Sequence, residues 1–392
     1  VGEGAYNFVE RIISMKRVPV LASDGTPLMP TKPSRARRWL KDGKAVVVHN
    51  DLDVFCVQLV TEPSGYEMQP IVIGVDPGKR FSGIGVQSAS TTLFIAHLIL
   101  PFKNITQKMS GRRFLRRTRR GRRINRKITF HLRAHRQKRF TNRRRNRLSP
   151  SIRANRELEL RVVKELMQLF PISHIVYEYV KAQTNKGKGK SFSPVMVGQY
   201  KMVEWLKQLC PMTTQEGWQT ASLRRQLNLE KDKTNKAAPK PSTHAVDGIA
   251  LAASYFIQFK AFHTNNSRGH HWVGKVQVTL APFRVIARSQ IFRRQLHFEN
   301  PVSNTTNYRR RKGGTLTPFG FRSGDFVKAE KAGKTYMGWI GGFTQTEKTK
   351  KVSIYDYTWR RIGQFSPNKV HLLQRRTGIV VAKELNKSLT TP

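Results

Sequence analysis

Asp76 closes the apolar run IVIGVD, Glu178 sits inside the run HIVYEYV, and HAVD sets His244 three residues ahead of Asp247. The last spacing puts an imidazole and a carboxylate on one helical face. Carboxylates gathered in one place repel and take up protons, unless divalent cations hold them ionised. Mg²⁺ suits that task, with Mn²⁺ as a substitute, because it takes hard oxygen ligands and keeps positions open for water and phosphate. Two such ions would clamp the attacking and leaving oxygens of an in-line phosphodiester hydrolysis. His244 would then act as a general base or an extra ligand. Singly, each residue has an ordinary explanation: a turn for Asp76, a solvent-facing edge for Glu178, a helix dipole for Asp247, a backbone contact for His244. Their combination is what argues for a site.

The elements around these residues follow a β-β-β-α-β-α order. Strand-like runs at 71–76, 82–87 and 92–99 are separated by turn residues and predict an antiparallel meander. A helical pattern over 156–170 leads into a strand at 172–180, a Lys/Gly/Ser loop at 181–193, a helix near 196–209 and a small-residue helix over 244–259. An α/β, ribonuclease-H-like core uses this order to bring three carboxylates together. Ahead of it, residues 16–65 read as a small unit: a strand, a turn at Asp24-Gly25, PLMP, a helix with Ser34 as N-cap and Gly43 as C-terminal cap, and a strand at 45–49. Beyond about 262 the runs are short and strand-like, a separate β-rich domain. No internal repeat stands out.

Charge sets the partner. The 392 residues hold 72 Lys and Arg against 24 Asp and Glu, a formal charge of +48. Self-repulsion of that size is relieved by a polyanion, so nucleic acid is expected. No membrane partner is expected, since no apolar run reaches the 18 or so residues of a span and no basic stretch has a clean apolar face. Cys56 and Cys210 offer neither a disulfide framework nor a zinc site, which fits a reducing cytoplasm. Between Asp76 and Glu157 there is no acid at all. Within that gap Arg112, Arg113, Arg116, Arg117, Arg119, Arg120, Arg122, Arg123 and Arg126 form the densest cluster. Like charges at helical spacing destabilise an isolated helix, and guanidinium groups bind phosphate bidentately and stack on bases. The segment from Arg112 to Arg156 is therefore read as an RNA and DNA grip, with Phe114, Leu115, Ile124, Ile128 and Leu132 as apolar anchors.

Taken in order, GVDPGKRFSGIGV, GRRFLRRTRRGRRINRK, VYE and HAVDGIALA resemble the first RuvC segment, the bridge helix, and the second and third RuvC segments of IscB-type proteins. These are transposon-encoded relatives of the CRISPR type II effector nucleases. DGTPLMP at 24–30 resembles the PLMP motif of their N-terminal domain. The resemblance spans roughly residues 16–260. IscB carries an HNH nuclease between its second and third RuvC segments, whereas here no histidine occurs between His174 and His244. The chain thus resembles the HNH-lacking branch, IsrB.

That resemblance implies an RNA-guided DNA nickase working as a monomeric ribonucleoprotein in a prokaryotic cytoplasm, on the nucleoid when engaged with DNA. A structured ωRNA guide would pair with one strand of double-stranded DNA, and a single RuvC site with two Mg²⁺ ions would cut the displaced non-target strand. By motif it assigns catalysis and metal binding to Asp76, Glu178, Asp247 and His244, with Tyr177 and Tyr179 bulky flanks for Glu178. It divides the chain into an extension (1–15), a PLMP domain (16–65), RuvC segment I (66–100), bridge helix and basic segment (101–156), RuvC segments II (157–193) and III (194–261), and a β-rich, barrel-like domain (262–392). The last is similar to the region that recognises a target-adjacent motif. Its candidate readers are Arg322, Lys328, Gln345, Arg360 and Arg361, although base readers and phosphate contacts look alike in sequence. Two other readings stay open: an unguided resolvase- or transposase-like nuclease of the same fold, and a non-catalytic basic RNA-binding protein whose acids are structural.

Overall fold

The computed structural model describes residues 16–101, 105–123, 127–132, 148–181, 193–288 and 316–383. The extension at 1–15 and Arg126 lie outside them. The first unit is a four-stranded sheet of β1 (Val18–Leu21), β2 (Pro27–Thr31), β3 (Ala45–Val48) and β4 (Cys56–Leu59), ordered β2-β1-β4-β3, with helix α1 (Pro33–Lys41). The helix starts two residues earlier than Ser34 as N-cap predicts. Lys32 is its N-cap and Pro33 its first residue, because proline lacks the N–H that would go unused there and its φ is already helical.

The central sheet begins with the expected meander, β5 (Ile71–Asp76), β6 (Phe81–Ser88) and β7 (Thr92–Ile99). Next come α2 (Ile105–Arg123), α3 (Pro150–Leu169), β8 (His174–Glu178), α4 (Pro194–Lys207), β9 (Met212–Gln215), α5 (Gly217–Gln226) and α6 (Val246–Ala253). β8 lies parallel to β5, and β9 parallel to β8. The order β7-β6-β5-β8-β9 is that of a mixed sheet in an α/β fold, antiparallel from β7 to β5 and parallel from β5 to β9.

Period-two alternation sorts the side chains. Ile71, Ile73, Val75, Ile84 and Val86 point to one face and pack with Leu158, Val162 and Leu166 of α3. Each fully buried Ile or Leu there contributes about 1.5–3 kcal/mol. Val72 and Val176 point to the other face, against Leu251 and Ala252 of α6. Asp76 and Glu178, an even number of residues along the same strands, share that second face. Helix α6 lies close on it because Gly74, Gly83 and Gly85 leave room: a Cβ at Gly85 would fall 2.6 Å from the backbone nitrogen of Ile249. A Cβ at Gly248 would meet the nitrogen of Gly85 at 2.7 Å.

Two expectations change here. The helix read over 244–259 is a π-helical turn, Pro241–Ala245, followed by α6 and then by strand β10 (Ile257–His263), which pairs only with β11 (Arg268–Gly274) among the described residues. Aromatic and β-branched residues at 256–259 favour the strand once the alanines end. The β-rich region is also not wholly separate. β12 (Phe283–Arg288) adds to β7 in parallel, and β18 (Ile379–Lys383) closes that edge antiparallel to β12, giving a seven-stranded sheet. Between them lies a second sheet of β13 (Phe326–Lys331), β14 (Lys334–Gln345), β15 (Lys350–Tyr355), β16 (Arg361–Phe365) and β17 (Val370–Gln374), ordered β16-β15-β14-β13-β17 and antiparallel throughout. It has its own core of Val327, Ala329, Ile340, Val352, Ile354, Phe365 and Val370. Its edge strands β16 and β17 do not pair with each other among the described residues, so hydrogen bonding does not close the expected barrel.

Candidate active site

Asp76 and Glu178 end two adjacent parallel strands in register, Val75 facing Tyr177, so both carboxylates stand at the carboxyl edge of the sheet, where α/β sheets bind ligands. The π-helical turn crosses β6 at Gly83 and brings His244 Nδ1 to 3.3 Å from Asp76 Oδ2. Buried His97 supports this turn from below, its Nδ1 3.1 Å from Thr243 Oγ1 and its ring 5.7 Å from that of His244. Asp247, 3% exposed, follows in the first turn of α6.

Glu178 sits against the start of α5. A Cβ at Gly217 would lie 3.2 Å from its Oε1, and Thr220 donates a hydrogen bond to it. Burial, then the charge of Asp76, pushes the Glu178 carboxyl up to about 7, partly offset by Thr220, with the charge of Asp247 adding to the rise. Asp247 is raised too, first by burial and then by Asp76, while Lys231 and Arg224 oppose the rise. The mutual repulsion expected of gathered carboxylates is therefore present.

Lys231 pairs with Asp247 Oδ2, and Arg224 Nε stands 2.6 Å from Oδ1. These two cations, together with helix α5, were not foreseen. Lys231 lies in a lysine-rich stretch that reads as an ordinary loop, whereas the α5 start carries a legible signal, reciprocal capping by Glu216 and Gln219.

The donors fit a hard divalent cation by chemistry: three carboxylates and one imidazole, with Lys231 and Arg224 standing in for positive charge at Asp247. Among the described residues no three His, Cys, Asp or Glu side chains are close enough to share an ion as they stand. Asp247 would trade its lysine for the metal.

Behind the site lies a buried network that corrects the reading of the basic segment. Arg156, its expected last member, is 2% exposed and pairs with Glu159 at 3.0 Å. Its Nη2 donates to the Gly78 carbonyl at 2.9 Å and its Nη1 to the Tyr177 hydroxyl at 3.3 Å. Ser82 Oγ donates to Glu159 Oε1 at 2.5 Å and accepts from the Gly78 amide at 3.1 Å. Arg156 and Glu159 thus hold both polar groups of Gly78, two residues after Asp76. Tyr177 points to this face, away from Glu178, which explains its bulk. An Arg and a Glu at i and i+3 ahead of an apolar helical pattern were the signal in the sequence.

Helix α2 carries Arg112, Arg113, Arg116 and Arg117 exposed, and Arg119, Arg120, Arg122 and Arg123 lie in its last turns. Its apolar residues are uncovered as well, Phe114 being 69% and Leu115 56% exposed. The candidate motif readers do not converge. Lys328 lies mid-strand opposite Met337, and Arg360 and Arg361 flank the start of β16 beside Tyr355. Gln345 is at the far end of β14, about 20 Å along the strand. Arg322 is exposed in the turn before β13, its amide donating to buried Asp325. No helix among the described residues is long and apolar enough to cross a membrane.

Against known proteins, the model of the RRXRR protein family matches residues 18–198; the chain spells RRTRR at 116–120. No curated protein matches. Among solved structures, Thermus thermophilus RuvC in complex with a Holliday junction substrate is 15% identical over 47% of this chain and 90% of that one, with a TM-score of 0.25. A second Thermus thermophilus RuvC structure is 16% identical over 46% and 90%, with a TM-score of 0.23.

Proposed function

We propose that the protein is a metal-dependent DNA endonuclease, guided by a structured ωRNA, that nicks the non-target strand of DNA bearing an adjacent motif. The observation that carries the nuclease reading is the convergence of Asp76, Glu178, His244 and Asp247 on one sheet edge inside a chain with so few acids. Guidance by RNA is supported by the exposed arginine helix, by the match to the RRXRR family, and by the ordered resemblance to IscB-type proteins. In this reading Asp76, Glu178 and Asp247 would hold Mg²⁺, which when bound would supply Lewis-acid polarisation of the phosphodiester and of water. His244, oriented by its contact with Asp76, takes a proton from the attacking water. Arg156 and Glu159 fix the turn that aims Asp76, and α5 braces Glu178 and Asp247 together through Thr220 and Arg224. The small C-terminal sheet provides the protein readout of flanking duplex that a guided nuclease uses to begin strand opening.

Protein purified with its RNA is expected to yield, on sequencing, one structured RNA with a variable segment. With Mg²⁺ or Mn²⁺ the complex is expected to nick supercoiled DNA that matches this segment, and with neither metal it should not. Cutting without regard to the RNA sequence would identify an unguided nuclease, and RNA without cutting in any metal a binding protein.

The arginine helix has its own test. Each phosphate it neutralises contributes about 0.7–0.9 to the slope of log affinity against log salt. Changing Arg112, Arg113, Arg116 and Arg117 together to Ala is expected to flatten that slope by about 3. An unchanged slope in a binding titration would place the main RNA grip elsewhere.

A further inference from the structure

The ribbon β10–β11 pairs with none of the three larger sheets, and neither strand has a second neighbour among the described residues. An isolated two-stranded ribbon is only marginally stable in water, so one that carries uncovered rings is suited to a partner. Cross-strand register places Phe259 opposite Trp272 and Ala261 opposite His270, all on one face. Phe259 is 50% exposed, and its ring lies nearly parallel to that of His270, with centroids 4.9 Å apart and planes 13° from each other. Trp272 adjoins Phe259 with centroids 5.1 Å apart and planes tilted by 48°, and packs against the apolar cluster of Leu223, Ala250 and Ile257. Arg268 shares the ringed face and donates to His263 Nε2 at 2.8 Å, Lys260 stands on the other face of the same strand, and no acid occurs between Asp247 and Glu299.

We infer that this face is a stacking platform for unpaired bases of the bound RNA. Flat rings take the π-face of any base while nearby cations track the backbone, the combination that single-stranded nucleic acid selects. An acid-free ribbon complements a polyanion and repels a basic partner. Position favours RNA over the strand being cut. The ribbon's root lies where Tyr255 meets His174 at 4.9 Å; His174 begins β8, and Glu178 ends it. The cut strand must lie at the Glu178 end, so the ribbon serves a different stretch of nucleic acid.

The inference rests on the protein holding RNA, and the test separates the two. Ultraviolet cross-linking of the full-length protein to a short oligouridine should place adducts on the peptide 257–274. Phe259→Ala with His270→Ala should weaken oligouridine binding about tenfold, the size of one lost base stack, without altering the salt slope, because stacking releases no counterions. Phe259→Trp, which keeps a ring, should bind as the native chain does. Unchanged affinity in the double variant, adducts confined to other peptides, or stronger binding of oligodeoxythymidine would overturn the platform. Wild-type protein that holds no RNA would overturn the guided-nuclease reading as well.

Discussion

Asp76→Asn is expected to lower strand cleavage by at least about a thousandfold, several kcal/mol of lost transition-state stabilisation, with folding and RNA binding intact. The substitution keeps size and hydrogen-bonding shape at a residue 7% exposed and removes only the charge. It also removes one cause of the raised Glu178 and Asp247 carboxyls, since Asp76 repels both. Thermal unfolding should therefore show stability unchanged or slightly higher, the opposite of what a structural aspartate would give. Gel-shift titration should show RNA affinity unaltered, because the arginines of α2 are untouched. Full cleavage by the variant would move the chemistry away from this sheet edge.

The second large effect concerns a residue that does not face the site. Arg156→Met is expected to cost about 3–5 kcal/mol of stability, because it strands Glu159 in the interior without its partner. Burial already pushes that carboxyl up to about 7 despite Arg156 and Ser82. Changing both Arg156 and Glu159 to Met should restore most of the loss, since apolar replacement of a whole buried pair is often neutral or better. Cleavage should not return with stability: Gly78 would have lost the guanidinium on its carbonyl, and Ser82 its anchor. Denaturant unfolding of the four proteins gives the coupling, and cleavage at saturating substrate separates turnover from binding. A stable double variant with native turnover would show the pair to be structural only.

The core was legible where physics is local. The runs IVIGVD and HIVYE are legible as strands, and their order in the chain argues that Asp76 and Glu178 belong to one site, but that the two strands lie side by side is seen only in the fold. The HAVD spacing held His244 and Asp247 near one another although the segment is not one regular helix. What stayed hidden depends on distant partners. Arg156 reads as one more arginine in a basic run until Glu159 and Gly78 are seen around it, and Lys231 reads as a loop cation until Asp247 meets it. β12 and β18 are short runs separated by about ninety residues, and nothing local says that they pair. The ribbon's first strand is hidden because only the short turn at 254–256, which has neither Gly nor Pro, separates it from the helix.

The pairing of β12 with β18 makes the small C-terminal sheet a detour rather than a tail. Its entrance and exit are neighbouring strands, about 5 Å apart, so the sheet is a cassette plugged into the rim of the larger fold. A domain attached this way can be exchanged for another without disturbing the sheet edge that carries Asp76 and Glu178, while the last described strand, β18, remains part of the seven-stranded sheet. Trimming from the C-terminus and excising the interior are thus opposite operations: the first unravels the rim, the second leaves it closed.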